Sequence, residues 1–334
     1  MREITALLHL LAAHPAAPAV LATLVRVEGS SYRKAGARLL WLPDGTRTGS
    51  ISGGCLEEDL LERARRVLTT GRAEVATYDT TTENDVVWGT GNGCDGRVRV
   101  LLEPVSPERP RWLQVLRANQ DAQRETLLAV VHGGPAETRV GTRLAGAPAA
   151  GTDGLDIFQE TVPPPHPLVV FGAGDDVQPL VRLAAELGWH VTVVDSRPAY
   201  ATAARFHSAS TVVVSPAESA ARAVLHGART LAVVMTHRYR DDAVLLRQLL
   251  PLPLAYLGLL GPRHRTERLL ADVDRAGLTV TAEMRARLHA PVGLDLGGRT
   301  PETVALSILA EIQARLAGRT AGFLRERPPG PIHG

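Results

Sequence analysis

Ser52-Gly53-Gly54-Cys55-Leu56 is the stretch whose residue types point most directly to chemistry. A serine and glycine turn feeding a helix leaves unpaired backbone N–H groups aimed outward, a geometry that attracts anions. A thiol at that end, Cys55, is drawn toward its thiolate. The same residues also describe a capped helix with a small buried cysteine, and spacing leaves both readings open. The second cysteine, Cys94, lies in Gly89-Thr-Gly-Asn-Gly93-Cys94-Asp-Gly96, where close-set glycines permit left-handed turns or near approach to a ligand. In the second half of the chain, Leu168-Val-Val-Phe-Gly172-Ala-Gly174 carries an apolar run into a glycine turn, and Asp195 closes the next apolar run, 23 residues after Gly172. This is the opening of a nucleotide-binding βαβ unit: Gly172 for the tight turn, Gly174 for approach to a phosphate, Asp195 for a ribose hydroxyl. The third glycine of GxGxxG is replaced by Val177, and Asp175 and Asp176 repel a pyrophosphate unless they point away. A Rossmann-like half without a nucleotide fits these residues equally.

Other chemistries lack their patterns. No HxExxH or CxxC occurs and the 11 histidines show no ligand spacing, so a structural zinc is not expected. The glycines at 91, 93 and 96 are not followed by Gly-Lys-Ser/Thr, which removes a Walker A loop. A Cys–His pair between Cys55 or Cys94 and His237 is admitted by residue type alone. With 37 Lys plus Arg against 35 Asp plus Glu the net charge is +2, too small for the basic stripe that nucleic acid requires. No apolar run reaches the ~18 residues of a membrane span, and the first residues carry Glu3, His9 and His14 with no cleavage site, so a cytoplasmic chain is expected. Two cysteines suggest no disulfide framework. A hydrophobic content of 45% over 334 residues is enough for two domains with buried cores.

The elements that must position these residues follow from periodicity. A first helix over 4–11 stops at His14-Pro15. Strands are expected at 20–27 and 37–42. A helix over 56–68 has Leu60, Leu61, Ala64, Val67 and Leu68 on one face, with Glu57, Glu58 and Asp59 in the first turn, where the helix dipole favours acids. Strands at 75–78 and 97–102, a helix over 112–124 and short strands at 127–131, 138–140 and 142–144 complete the first half. Beyond Val162-Pro-Pro-Pro-His-Pro167, strands at 168–171, 190–194, 211–214, 231–235 and 254–257 alternate with helices at 177–187, near 198–206, 217–226 and 241–250. That alternation predicts a doubly wound parallel sheet. Ligands bind at the carboxyl ends of such strands, which makes His237, after the fourth, and Arg263, after the fifth, candidates by position. Arg263, His264 and Arg265 also read as a solvated helix start. Thr300 and Pro301 mark the start of a last helix, and the Arg-, Pro- and Gly-rich tail from Gly318 is expected to be disordered. The fold class is α/β, a C-terminal Rossmann-like doubly wound sheet plus an N-terminal α+β domain. Its boundaries are 1–104, an intervening segment and linker at 105–165, the Rossmann-like domain at 166–317 and a flexible tail at 318–334.

Ser52-Gly-Gly-Cys-Leu-Glu57, Gly91-Asn-Gly-Cys94-Asp-Gly96, Phe171-Gly-Ala-Gly174, Val193-Val-Asp-Ser-Arg-Pro198, Met235-Thr-His237, Leu257-Gly-Leu-Leu-Gly-Pro-Arg263 and Ala290-Pro-Val-Gly-Leu-Asp-Leu-Gly297 follow in one order. Together, over about residues 15 to 315, they resemble the XdhC/CoxI family, accessory factors of xanthine dehydrogenase and carbon monoxide dehydrogenase. The resemblance implies a chaperone and not the hydroxylase itself. Such a chaperone binds the molybdenum cofactor in its molybdopterin form, supports its sulfuration with a cysteine desulfurase, and inserts it into a xanthine dehydrogenase-type apo-enzyme. It implies Cys55 and Cys94 as contacts to molybdenum or its labile sulfur, and Gly53 and Gly54 as backbone contacts, with Ser52 and Gly93 beside them. Gly172, Gly174 and Asp195 become the Rossmann site, with His237 and Arg263 at its edge. A thiolate is a soft ligand and a sulfur relay, and a helix N-terminus suits the pterin's terminal phosphate. The chain departs from the pattern at Asp95, where many relatives carry glycine, and at Val177. Two rival functions stand beside this one: an NAD(P)-dependent oxidoreductase, and a non-catalytic assembly factor that binds the apo-dehydrogenase by its surface. A homodimer is the expected assembly.

Overall fold

The structure, a computed structural model, describes residues 2–29, 31–54, 56–79, 96–146, 154–224 and 227–327. The chain divides into two compact units, Met1–Pro165 and His166–Gly334. The first unit runs α1 (Arg2–Ala13), β1 (Ala19–Gly29), β2 (Arg38–Trp41), β3 (Arg47–Gly49), α2 (Glu57–Thr70), β4 (Glu74–Asp79), β5 (Gly96–Val105), α3 (Arg111–Asp121), β6 (Thr126–Gly133), β7 (Gly141–Leu144) and β8 (Asp156–Val162). An antiparallel sheet has the order β3-β2-β1-β5-β4, and a second has β7-β6-β8. Alternate residues of a strand face opposite ways, and β1 uses both faces. Val20, Ala22 and Leu24 pack with Leu60, Ala64 and Val67 of α2, while Ala19 and Leu21 pack with Leu7 and Leu11 of α1 and Trp112 and Leu116 of α3.

Buried polar pairs tie the small sheet to the large one. The Arg38 guanidinium on β2 donates to Glu160 on β8, and the Glu103 carboxylate on β5 accepts from the Thr142 N–H at 2.9 Å and from its hydroxyl on β7. Burial lowers Arg38 to about 10 and raises Glu103 above the usual carboxylate range. These ties place 126–162 within the first compact unit.

The second unit runs β9 (Pro167–Phe171), α4 (Val177–Glu186), β10 (His190–Asp195), β11 (Thr211–Val214), α5 (Ala217–Val224), β12 (Leu231–Val234), α6 (Tyr239–Leu249), β13 (Tyr256–Leu259), α7 (Arg263–Arg275), α8 (Ala282–Arg287), β14 (Leu288–His289) and α9 (Pro301–Leu316). All its strand pairs are parallel, in the order β11-β10-β9-β12-β13-β14. This is the doubly wound order, and its direction reverses between β9 and β12. Leu168, Val170, Leu231 and Val233 face α4 and α9, whereas Val169, Phe171, Ala232 and Val234 face α5, α6 and α7. Burial on both sides explains why β9 and β12 read as unbroken apolar runs. Thr300 caps α9 by accepting from the Thr303 N–H, with Pro301 at the first helical position. Among the described residues no helix is long and apolar enough to cross a membrane.

Several local expectations are corrected. Residues 198–206 form separate turns instead of a helix, with Arg197, Tyr200 and Arg205 stacked together and Arg205 donating to the Ala173 and Tyr200 carbonyls at 2.8 and 2.9 Å. Side chains anchored on the glycine turn replace the helical ladder there. Residues 138–140 are not a strand, because Thr138 closes a turn onto the Pro135 carbonyl through its N–H at 3.0 Å and its hydroxyl at 2.7 Å. The fifth strand of the second unit begins at Tyr256, two residues late, after Pro251 and Pro253. β8 went unanticipated because its polar, half-exposed residues look like linker. In the tail, Leu324–Glu326 form one exposed 3-10 turn.

Candidate functional site

Ser52, Gly53 and Gly54 form one turn ahead of α2, and Cys55 lies outside the described residues. The turn is closed by an acid. The Glu57 carboxylate accepts from the Ser52 N–H at 3.0 Å, the Leu56 N–H at 3.2 Å, the Ser50 hydroxyl at 3.1 Å and the Ser52 hydroxyl. The Ser52 Oγ in turn accepts from the Gly54 N–H at 3.1 Å and the Leu56 N–H at 3.2 Å. Partial burial raises the Glu57 carboxyl, but the hydrogen bonds from Ser52, Ser50 and the backbone outweigh it and hold the group below the usual range. The expected outward-pointing N–H groups are therefore largely spent inside the turn, and a negative charge already sits there. What the turn leaves open is its glycine face. Gly53 and Gly54 are exposed, Gly54 has φ of 120°, and a Cβ on it would meet nothing within 4 Å among the described residues. Tyr32, 71% exposed, has its ring beside Gly53. Neither the closing role of Glu57 nor the flanking Tyr32 follows from periodicity; the spacing of Ser52 and Glu57 within one motif was the available signal for the first.

In the second unit the glycine turn, Asp195 and His237 converge where the sheet order reverses. Gly172 has φ of 124°, and a Cβ there would run into the Met235 backbone of the neighbouring strand end. Asp195, 5% exposed, accepts from the Ala173 N–H at 2.9 Å, from the Arg197 N–H at 2.9 Å, and from the Arg197 side chain at 3.0 and 2.8 Å. Burial pulls its pKa up, but the Arg197 and Ala173 hydrogen bonds prevail and keep it low. Both oxygens are thus engaged by the chain, where a ribose hydroxyl was expected. Asp175 turns outward to Arg205 at 2.6 Å. Asp176 spans the crevice to His237 Nε2 at 2.7 Å. That contact raises the His237 pKa against partial burial, which lowers it. His237 itself has φ of 58°, a left-handed conformation held by its neighbours: the Asp242 carboxylate, 1% exposed, accepts from the Thr236 hydroxyl and pairs with Arg265 at 2.6 Å, and Thr236 Oγ1 accepts from the Arg238 N–H at 3.1 Å. Asp176 and Asp242 are the residues that the sequence motifs did not assign to this crevice.

Arg263 opens α7 at the carboxyl end of β13 and is exposed. Gly174 sits beside the Asp176 carboxylate. Gly93, Cys94 and Cys55 fall outside the described residues. Within those residues no group of three or more His, Cys, Asp and Glu side chains is placed to hold a metal ion.

Residues 12–79 match the model of the XdhC and CoxI family, and residues 168–312 match the XdhC Rossmann domain. A Bacillus subtilis (strain 168) protein, named as a probable xanthine dehydrogenase subunit, is 33% identical over 88% of this chain and 92% of that one. The chain belongs to the XdhC and CoxI family. Another relative, the molybdenum cofactor insertion chaperone PaoD of Escherichia coli (strain K12), is 26% identical over 88% of this chain and 82% of its own. A crystal structure described as a xanthine dehydrogenase from Bacillus halodurans is 31% identical and superposes with a TM-score of 0.79, covering 96% of this chain and 97% of the other. The stretches matched to the XdhC and CoxI models contain Ser52 to Cys55, Gly172, Gly174, Asp195, His237 and Arg263, whereas Gly93 and Cys94 lie between them.

Proposed function

We propose that this chain is a cytoplasmic chaperone that binds the molybdenum cofactor, as molybdopterin, and inserts it into a xanthine dehydrogenase-type apo-enzyme. The observation that carries the reading is the exposed Gly53–Gly54 face ahead of α2, open at the residue preceding Cys55, in a family with a relative named for cofactor insertion. The residues fit a soft, flat cargo. Cys55 supplies a thiolate for molybdenum or its sulfur, the glycines admit the ligand, and the exposed Tyr32 ring offers a face to the pterin. The terminal phosphate does not suit this turn, because Glu57 already fills it with negative charge. Cys94 is proposed as the second thiol, a cysteine desulfurase as the sulfur source, and a homodimer as the working assembly. An NAD(P)-dependent oxidoreductase is the weaker alternative, since Asp195 is engaged by Ala173 and Arg197 and Asp176 bridges the crevice.

The test is anaerobic purification from cells that make the cofactor, followed by metal analysis and fluorescence of the oxidised pterin. Wild-type protein is expected to carry both molybdenum and pterin, and Cys55→Ser to lose them with unchanged circular dichroism. Absence of both from the wild type, together with no uptake of added cofactor, overturns the reading.

A further inference from the structure

At the amino end of β13, the sheet edge opposite the glycine turn, lies a cavity of about 100 Å³. Leu249, Leu254 and Met284 belong to the apolar part of its wall, and its polar lining includes Arg287, His289 and Arg315. Among the described residues no acidic side chain lines it. Glu311 is committed to two of the lining residues: one oxygen accepts from the Tyr256 hydroxyl and, at 2.8 Å, from the Gly293 N–H, while the other contacts His289 Nδ1 at 3.0 Å. His289 stacks on Tyr256 with ring centroids 4.4 Å apart, so its ring orientation is fixed from two sides. Arg287 donates to the Leu252 and Leu250 carbonyls at 3.1 and 3.0 Å, which engages its two Nη atoms; its Nε is buried with no partner among the described residues. An orphaned buried N–H and two guanidiniums, with no carboxylate among the described lining residues, make a site that lacks an anion.

We propose that this cavity binds a short-chain carboxylic acid, its carboxylate held by Arg287 and Arg315 and its carbon chain against Leu249, Leu254 and Met284. The volume sets the size. A dry cavity of ~150 Å³ holds the six carbons of benzene, so this one suits roughly four to five non-hydrogen atoms. The apolar walls select an acid with a hydrocarbon body over inorganic phosphate, whose oxygens would find no donors on that side. This inference stands apart from the cofactor reading and uses none of its residues.

Calorimetric titration of the full-length protein with propionate, 1-propanol and inorganic phosphate tests it. Propionate is expected to bind saturably and in preference to both others. Arg315→Gln, at an exposed position, should weaken propionate by about tenfold with the circular dichroism spectrum unchanged. Absence of saturable propionate binding overturns the proposal. So does equal binding of propanol, a preference for phosphate, or full affinity in Arg315→Gln.

Discussion

Glu57 and Asp195 do the same work in the two units: each folds a carboxylate back onto a glycine turn and takes N–H groups that a ligand would otherwise find. Glu57→Gln replaces an acceptor of several hydrogen bonds by a neutral amide, and urea unfolding is expected to show a loss of about 1–2 kcal/mol. The sign with pH is set by its lowered pKa. Its contribution is present above the ordinary glutamate range and lost as pH falls through the lowered value, so the variant should lack that part of the acid dependence. Removing this charge two residues from Cys55 should also lower the pH at which the thiol reacts with iodoacetamide. His237 titrates the other way. Paired with Asp176, it should show a proton-NMR pKa above the ordinary ~6.5, falling back in Asp176→Asn. The stability from this pair is complete below the ordinary value and fades as pH rises through the raised one. The residue types at 52–57, 172–174, 195 and 237 were legible as candidates. Their partners were not, because Asp176 meets His237 across 61 positions of sequence and Asp242 acts from inside a helix.

The β9 turn separates two glycines that look alike in the motif. Gly172 combines φ of 124° with the Met235 carbonyl against its Cβ position, so Gly172→Ala should cost about 3 kcal/mol or more in urea unfolding. Gly174 faces only the end of the Asp176 side chain, which can swing away. Gly174→Ala should leave stability nearly unchanged and lower the His237 pKa by disturbing its pair. The strands and helices that carry these turns were readable from apolar period alone, since β9 and β12 are buried on both faces and α2 on one. Elements held by side chains were not: the turns at 198–206 depend on Arg205, and β8 depends on pairing with β6 and on Arg38, which no local pattern encodes.

Each unit closes its own cores, one on each side of the parallel sheet and others around β1. A fragment of residues 166–327 is therefore expected to fold alone, with cooperative thermal unfolding and the helical content of the second unit by circular dichroism; a non-cooperative melt would contradict it. The alternation of apolar runs and amphipathic segments determined by itself that the second half is a doubly wound parallel sheet, because burial on both faces of a strand and one face of a helix is written in residue order. The glycine and cysteine motifs likewise named where a ligand should be sought. Tertiary structure decided how those turns are satisfied. Whether an N–H group is free for a ligand depends on which distant carboxylate reaches it, and the partner of a charge is set by packing, which periodicity cannot convey. The same reason hid the cavity at the amino end of β13, whose cationic lining comes from α8 and α9 and meets only when the sheet is built.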